Sequence, residues 1–531
     1  MKLQSKINPN SQQFKDNRKG MLELLKTLSE KMEESRFQGS EKHMERARSQ
    51  DKFLARERIE LLLDPNSPFL ELLPLAGLNR KGFGTGGTTV GGIGLVENRL
   101  VMIVSNVGTN KSGAIDFPTL QKALRLAEIA DENELPCINL VESSGANLPD
   151  QAKIFNQGGI NFREITRRSK KGIPTISIVF GNATAGGAYV PGMSDYSIFV
   201  KDRAKVFLAG PPLVKMATNE VTDDESLGGA EMHSKVSGVS DFLAEDELDG
   251  IRIARELIAT LKPPKTHFQP KEKAEEPVYD SEELTGIIPP DVKAAFDIRE
   301  VIARVTDGSK FTEFKPDHGE TLICGWANIH GYPVGILANN GVLFSESANK
   351  GTHFIQLCNK NDTPLLFFQN ITGFMVGKDY EQGGVIKHGA KLINAVSNSE
   401  VPAITIMMGA SYGAGNYAMM GRAYQPRFLF SYPNSKIAVM GPEQLAGVMG
   451  IIQKQAAKKA GSEYDETQAK VLRDHMVNEA VKQSDAWYSS GQIWDDGVID
   501  PRDTRNYLGM CLAVVNNSPI KGAESYGVFR M

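Results

Sequence analysis

The chain has 531 residues, 41% hydrophobic and 23% charged, enough to bury a large core and to build two or more domains. Its 60 Lys and Arg nearly balance 64 Asp and Glu, which excludes a net basic field able to collect nucleic acid or an anionic membrane surface. Cys137, Cys324, Cys358 and Cys511 form no CxxC pair, so they point to neither a zinc ribbon nor a disulfide framework, and free buried thiols are expected.

The N-terminal stretch is polar, without an apolar signal region, and no later run reaches about 18 apolar residues. A cytoplasmic protein without membrane insertion is expected, or an organellar one after removal of a presequence. Residues 21–63 carry helical periodicity, with Leu22, Leu24, Leu25 and Leu28 marking the apolar face of an N-terminal arm. Gly82-Phe83-Gly84-Thr85-Gly86-Gly87 fits G-x-G-x-x-G, but no apolar strand precedes it and no helix follows, so it reads as a loop. Segments 91–106 and 324–340 read as hairpin strands. After each, short apolar strands, glycine-rich turns and helical patterns alternate, predicting βαβ units around a parallel sheet. Residues 263–283 are rich in proline and charge, which predicts a domain at 1–262, a linker at 263–289 and a second domain at 290–531.

The two halves resemble each other. IPTISIVFGNATAGGAY (173–189) lies over VPAITIMMGASYGAGNY (401–417), and LPCINLVESSGANLP (135–149) lies over TPLLFFQNITGFMVG (363–377) at the same offset. The predicted architecture is α/β, with two related domains in tandem. In each copy a strand runs into a glycine-rich turn that opens a helix, where unpaired backbone N–H groups attract negative charge. Ala185-Gly186-Gly187-Ala188 and Gly413-Ala414-Gly415-Asn416 are therefore candidate oxyanion holes. Gly409-Ala410-Ser411-Tyr412-Gly413 also satisfies the G-x-S-x-G nucleophile elbow, so a serine hydrolase using Ser411 is a remote alternative. Against it, the first copy has Ala183 at the serine position, and only His475 lies downstream to complete a triad. His353 and His388 lie in helical patterns and are assigned packing or surface roles.

ARSQDKFLARERIELLLDP (47–65), TAGGAYVPGMSD (184–195), FLAGPPLVKMAT (207–218), LGGAEMHSKVSGVSD (227–241), GASYGAGNYAMMGRAY (409–424) and WDDGVIDPRDTR (494–505) resemble the carboxyltransferase subunits of biotin-dependent acyl-CoA carboxylases. The similarity extends over essentially the whole chain. It implies two crotonase-like domains, the first holding an acyl-CoA and the second biotin. The enolate oxygen of the substrate would meet Gly186 and Gly187, beside Gly145 and Ala146; the biotin carbonyl would meet Ala414 and Gly415, with Gly413 leading into the turn. The resemblance further implies transfer from carboxybiotin without a side-chain base, which agrees with motifs dominated by glycine.

No Ala-Met-Lys-Met biotin-attachment site occurs; Val214-Lys215-Met216 only approximates one. Biotin is therefore expected on a partner, a biotin carboxylase/biotin carrier subunit, and no bound metal is expected in this chain. The family forms hexamers, so a homo-oligomer is implied. FLAGPPLVKMAT, ESSGANLP and GAGNY look closest to the 3-methylcrotonyl-CoA, geranyl-CoA and long-chain branch; a propionyl-CoA carboxylase subunit or the carboxyltransferase of an acyl-CoA decarboxylase is the alternative. Ser144 replaces a glycine of the common ESGGANLP form and either adjusts the turn or lines the acyl pocket. Gln157-Gly158-Gly159-Ile160 is a candidate pocket wall, with a solvent loop as the alternative.

Overall fold

The computed structural model describes residues 2–264, 270, 272–461 and 465–531, so residues 265–269 and 271 of the expected linker lie outside the described residues. The chain divides into one unit of Lys31–His267 with Gly491–Ile493, and another of Met1–Glu30, Phe268–Ser490 and Trp494–Met531. Residues 1–30, placed in the first domain on sequence grounds, group with the second unit. There the Asn17 amide donates to the Gly286 carbonyl at 3.1 Å and the Ser5 hydroxyl donates to Glu300 at 2.6 Å. Within the expected linker, Leu284–Ile287 forms a buried helical turn, so that part belongs to the packed unit.

Helices α1 (Gln12–Ser35), α2 (Glu41–Arg48) and α3 (Ala55–Leu62) make up the N-terminal arm. Its apolar face differs from the expected one: Met21, Leu25 and Leu28 are buried at i, i+4 and i+7, whereas Leu22 is 42% exposed.

In the first unit, strands β1 (Phe69–Glu71), β2 (Thr89–Val96), β3 (Arg99–Asn106), β4 (Cys137–Ser143), β5 (Thr175–Thr184), β6 (Tyr196–Val200), β7 (Lys205–Phe207) and β8 (Phe242–Ala244) form one mixed sheet. The order is β1-β2-β3-β4-β5-β6-β8, with β7 paired to β5. The first three strands are antiparallel and the rest join in parallel. Glu97 and Asn98, both at positive φ, make the two-residue turn between β2 and β3 that matches strand twist.

Strand alternation divides the labour of this sheet. Val101, Ile103, Ile138, Leu140, Ile176 and Ile178 pack with α3 and the helix Glu247–Thr260. Met102, Val104, Cys137, Asn139 and Val141 point the other way, toward helices α4 (Phe117–Glu132) and α5 (Gln151–Lys170). Asp116 caps α4 by accepting from the Thr119 N–H at 3.1 Å, and Pro118 occupies its first turn, where no N–H is needed.

The second unit repeats the plan. Strands β9 (Thr312–Phe314), β10 (Leu322–Ile329), β11 (Tyr332–Asn339), β12 (Leu365–Ile371), β13 (Ala403–Tyr412), β14 (Phe428–Ser431) and β15 (Lys436–Ala438) assemble in the order β14-β13-β12-β11-β10-β9, with β15 on β13. His330 and Gly331 turn its hairpin with positive φ, as Glu97 and Asn98 do in the first. The helix Ser345–Lys360 takes the place of α4, while the counterpart of α5 breaks into Lys378–Gln382 and Val385–Ser397 at Gly384, φ +85°. All four cysteines are free and buried. Among the described residues no helix is long and apolar enough to cross a membrane.

Candidate active site

β5 ends at Thr184, Ala185 takes a left-handed conformation (φ 51°), and Gly186 and Gly187 open a short 3-10 turn. β13 ends at Tyr412, Gly413 takes the same conformation (φ 56°), and Ala414 and Gly415 open the helix Gly413–Ala418. The backbone thus repeats although the glycines do not coincide: Ala185 sits where the second copy has Gly413, at a cost of roughly 1–2 kcal/mol for the left-handed alanine. In both turns the next residue, Gly186 or Ala414, is exposed, and the one after, Gly187 or Gly415, is buried. As first residues of a helical turn they have N–H groups without an acceptor inside it.

Each turn meets the loop that follows the neighbouring strand. Ile115 donates its N–H to the Gly145 carbonyl at 2.8 Å, and Leu343 donates to the Gly373 carbonyl at 3.1 Å. Gly145 has φ +87°, and a Cβ there would lie 2.9 Å from the Thr184 carbonyl oxygen, so the loop needs glycine for close approach. A Cβ on Gly187 would lie 3.9 Å from the Gly145 Cα, and one on Gly415 would lie 3.3 Å from the Gly373 Cα. The structure therefore brings Gly145, Gly186 and Gly187 together in one unit, and Gly373, Gly413, Ala414 and Gly415 together in the other.

The first turn opens on a cavity of about 660 Å³, bounded by β3, β4, α4 and α5. Gly186, Gly187 and Ala146 line one end; Met102, Val104, Leu120, Ala123, Val141, Ile165 and Val190 give it apolar walls. Gly158 and Gly159 line it too, and they are helical rather than in a loop, because α5 runs through Gln157-Gly158-Gly159-Ile160 without a break. An added Cβ would meet nothing within 4 Å at Gly159, so the missing side chain leaves space in the cavity wall. Ser144 does not line the cavity; it is exposed, and its N–H donates to the Ser112 carbonyl at 3.0 Å, a turn-shaping contact.

Beneath the second turn the surroundings are polar. The buried Ser411 hydroxyl donates to Gln369 Oε1 at 2.6 Å and accepts from Asn416 Nδ2 at 2.7 Å, and Gln369 Nε2 donates to the Met419 carbonyl at 2.6 Å. Ser411 is thus committed to a structural network, and His475, exposed on the helix Glu466–Lys482, is not among its partners. The nucleophile-elbow reading fails on that geometry. His353 contacts Lys315 and Phe314, and His388 contacts Asn349, so both have packing or surface roles.

Glu142, near the end of β4, was not singled out from the sequence, although a carboxylate inside CINLVES was the available signal. It accepts from Arg58 at 2.7 Å and Lys52 at 2.8 Å, while Arg58 also donates twice to Glu247 at 2.9 Å. Burial opposes ionisation of Glu142, but the Arg58 and Lys52 charges prevail and hold its carboxyl below the usual range. This cluster ties α3 and the helix Glu247–Thr260 to the strand that leads into the site.

Two turns of one backbone geometry, each following a parallel strand of a crotonase-like domain, define a duplicated α/β protein that presents backbone N–H groups at two places. The chain belongs to the carboxyl transferase domain family, whose model matches residues 46–527. It is 54% identical, over the full length of both chains, to the probable biotin-dependent acyl-coenzyme A carboxylase beta2 subunit of Mycobacterium tuberculosis. It is 47% identical, over all of this chain and 91% of the relative, to the methylcrotonoyl-CoA carboxylase beta chain, mitochondrial, of Dictyostelium discoideum. The crystal structure of the P. aeruginosa geranyl-CoA carboxylase beta subunit is similar with a TM-score of 0.88, at 41% identity and 99% coverage of both chains.

Proposed function

We propose that the chain, a carboxyltransferase beta subunit of the biotin-dependent acyl-CoA carboxylase type, transfers a carboxyl group from biotin on a partner subunit to an acyl-CoA. A thioester of the 3-methylcrotonyl or geranyl type is the favoured substrate, in keeping with the methylcrotonoyl- and geranyl-CoA carboxylase subunits it resembles. The observation that carries the reading is one backbone turn built twice, at Ala185–Gly187 and Gly413–Gly415, with an apolar cavity at the first.

In this reading the Gly186 and Gly187 N–H groups hold the thioester oxygen and stabilise it as it becomes an enolate, with Gly145 and Ala146 beside it. Each well-placed donor of this kind is worth about 3–4 kcal/mol. Ala414 and Gly415 fit the ureido carbonyl of biotin: Ala414 is exposed, and a Cβ on the neighbouring Gly373 would meet nothing within 4 Å, leaving approach to the N–H groups open. When bound, biotin supplies the carboxyl group. The protein contributes placement and oxyanion stabilisation, and the walls around Val141 and Val190 keep water from the reacting carbon. A biotin carboxylase/biotin carrier partner, a homo-oligomer and a cytoplasmic setting complete the proposal.

The test is carboxylation by the purified chain with its biotinylated partner, ATP and labelled bicarbonate, across 3-methylcrotonyl-, geranyl-, propionyl- and long-chain acyl-CoA. Label fixed into a branched enoyl thioester supports the reading. No fixation into any of these four thioesters, while the partner's biotin is carboxylated, overturns the assignment to these substrates and directs attention to the reverse reaction.

A further inference from the structure

The cavity is longer than a short branched acyl group needs. It follows one face of β4 from Ser143 through Val141 and Asn139 to Cys137, about 20 Å at 3.3 Å per residue. α5 lines it over the same length, from Ile154 through Gly158 and Phe162 to Arg168, about 21 Å at 1.5 Å per residue. Gly187 stands at the Ser143 end, where its Cβ would lie 3.7 Å from the Ser143 carbonyl oxygen. Cys137 and Arg168 lie at the opposite end.

Arg168 is 3% exposed, lines the cavity, and has no hydrogen-bond partner for Nε or Nη1 among the described residues. The other buried arginines are treated differently: Arg58, Arg125, Arg304 and Arg505 each pair with a carboxylate at 2.5–2.9 Å. Thr175, which the sheet register places beside Cys137, carries a second buried group without a partner, its hydroxyl. Thr175 lies behind the cavity lining, whereas Asn139 adds an amide to the wall itself. A desolvated guanidinium facing a cavity calls for an anion, because burying a lone cation is costly while a paired one is held by charge-assisted hydrogen bonds.

Building on the carboxyltransferase reading above but departing from its favoured methyl-ended thioesters, we propose that Arg168 anchors a carboxylate at the far end of the acyl chain, making the substrate class acyl-CoA thioesters that carry a distal carboxylate. The thioester oxygen sits at Gly186 and Gly187, the chain runs along Val141 and Val104, and the terminal carboxylate accepts from Arg168, with Asn139 alongside. Substrate length is then read between two fixed ends.

The test compares CoA thioesters of equal chain length ending in a methyl group or a carboxylate, with the chain and its biotinylated partner, ATP and labelled bicarbonate. The carboxylate-ended thioester is expected to show a kcat/KM at least tenfold higher, chiefly through KM. Arg168→Met is expected to lower the ratio between the two thioesters by roughly 10²-fold, and Arg168→Lys to restore part of it. A ratio near one in the parent chain, or a ratio that Arg168→Met leaves unchanged, overturns the anchor while the carboxyltransferase reading stands. Calorimetric binding of the same two thioesters reads the anchor without turnover. Tighter binding of the carboxylate-ended one, lost in Arg168→Met, supports it even if no label is fixed, and equal Kd values overturn it.

Discussion

Under the first turn, Val141, Ala183 and Ala188 are buried and apolar; at the equivalent positions under the second, Gln369, Ser411 and Asn416 form a chain of hydrogen bonds. The register is the same in both, since Ser143 pairs with Ala183 and Ile371 with Ser411. One duplicated backbone has thus acquired two floors. The apolar one contributes Val141 to a cavity wall, and the polar one locks its turn in place. Fold and turn geometry tolerate either chemistry, so the side chains beneath the turn decide what each half can hold.

The halves also bury charge differently, and the largest predicted effect comes from there. Arg58→Met would leave Glu142 and Glu247 without their buried partner and should cost about 3–5 kcal/mol, measured by denaturant unfolding. The residue equivalent to Glu142 in the second half is Asn370, which accepts from the Ala410 N–H at 3.3 Å; Asn370→Ala should cost only about 1–2 kcal/mol. Equal losses would show that the ionic cluster has no special weight in the first half.

Asp495 gives the opposite case. Burial pushes its carboxyl up to about 6, with Ser431 donating to it at 2.7 Å. A raised carboxyl pKa favours the protonated form in the folded state, so its contribution to stability is full below the unfolded value of 3.8 and is lost as pH rises through about 6. Asp495→Asn should therefore gain on the parent chain by up to about 3 kcal/mol between pH 4 and pH 7. Glu142, held low, has the reverse sign: its contribution is present above the unfolded carboxylate pKa and is lost as pH falls. Unfolding curves at several pH values for Asp495→Asn and Glu142→Gln should diverge in opposite directions.

Ser411→Ala should cost about 1–3 kcal/mol by leaving Gln369 and Asn416 unsatisfied. Converting the floor outright, with Gln369→Val, Ser411→Ala and Asn416→Ala together, should recover part of that loss, because only the Met419 carbonyl then loses the close donor that Gln369 supplied. A triple variant that loses more than the sum of its parts would break the equivalence of the two floors. Gly415→Ala brings a Cβ to 2.6 Å from Ile371 and should lower Tm, whereas Gly187→Ala, whose nearest neighbour would be 3.7 Å away, should leave it nearly unchanged. A small effect of the opposite sign is expected at Ala185→Gly, which relieves a left-handed alanine and should stabilise by about 1 kcal/mol, less the added freedom of glycine in the unfolded chain.

Much of this was legible in the sequence because duplication writes itself at a fixed offset. The hairpins, the strand-turn-helix units and both glycine turns follow from apolar runs and glycine spacing, which encode local backbone geometry directly. Ala185 shows where that reading ends: composition alone marks Gly186 and Gly187, yet the left-handed residue before them is an alanine, held by the strand and the helical turn on either side. The Gln-Gly-Gly triplet makes the same point. At Gln157-Gly158-Gly159 it continues a helix and lines a cavity, while at Gln382-Gly383-Gly384 it breaks one. Glycine permits both conformations, and what packs around it selects one.

The sequence by itself determined the class of fold, the doubling of the domain and the two places where backbone N–H groups are presented, because each depends on residues near one another in the chain. Only the tertiary structure decided that residues 1–30 group with the second unit, that Ser411 is spent on Gln369, and that an apolar cavity runs from Gly187 to Arg168. Those depend on contacts between elements far apart in the chain, where register and burial determine which side chains meet.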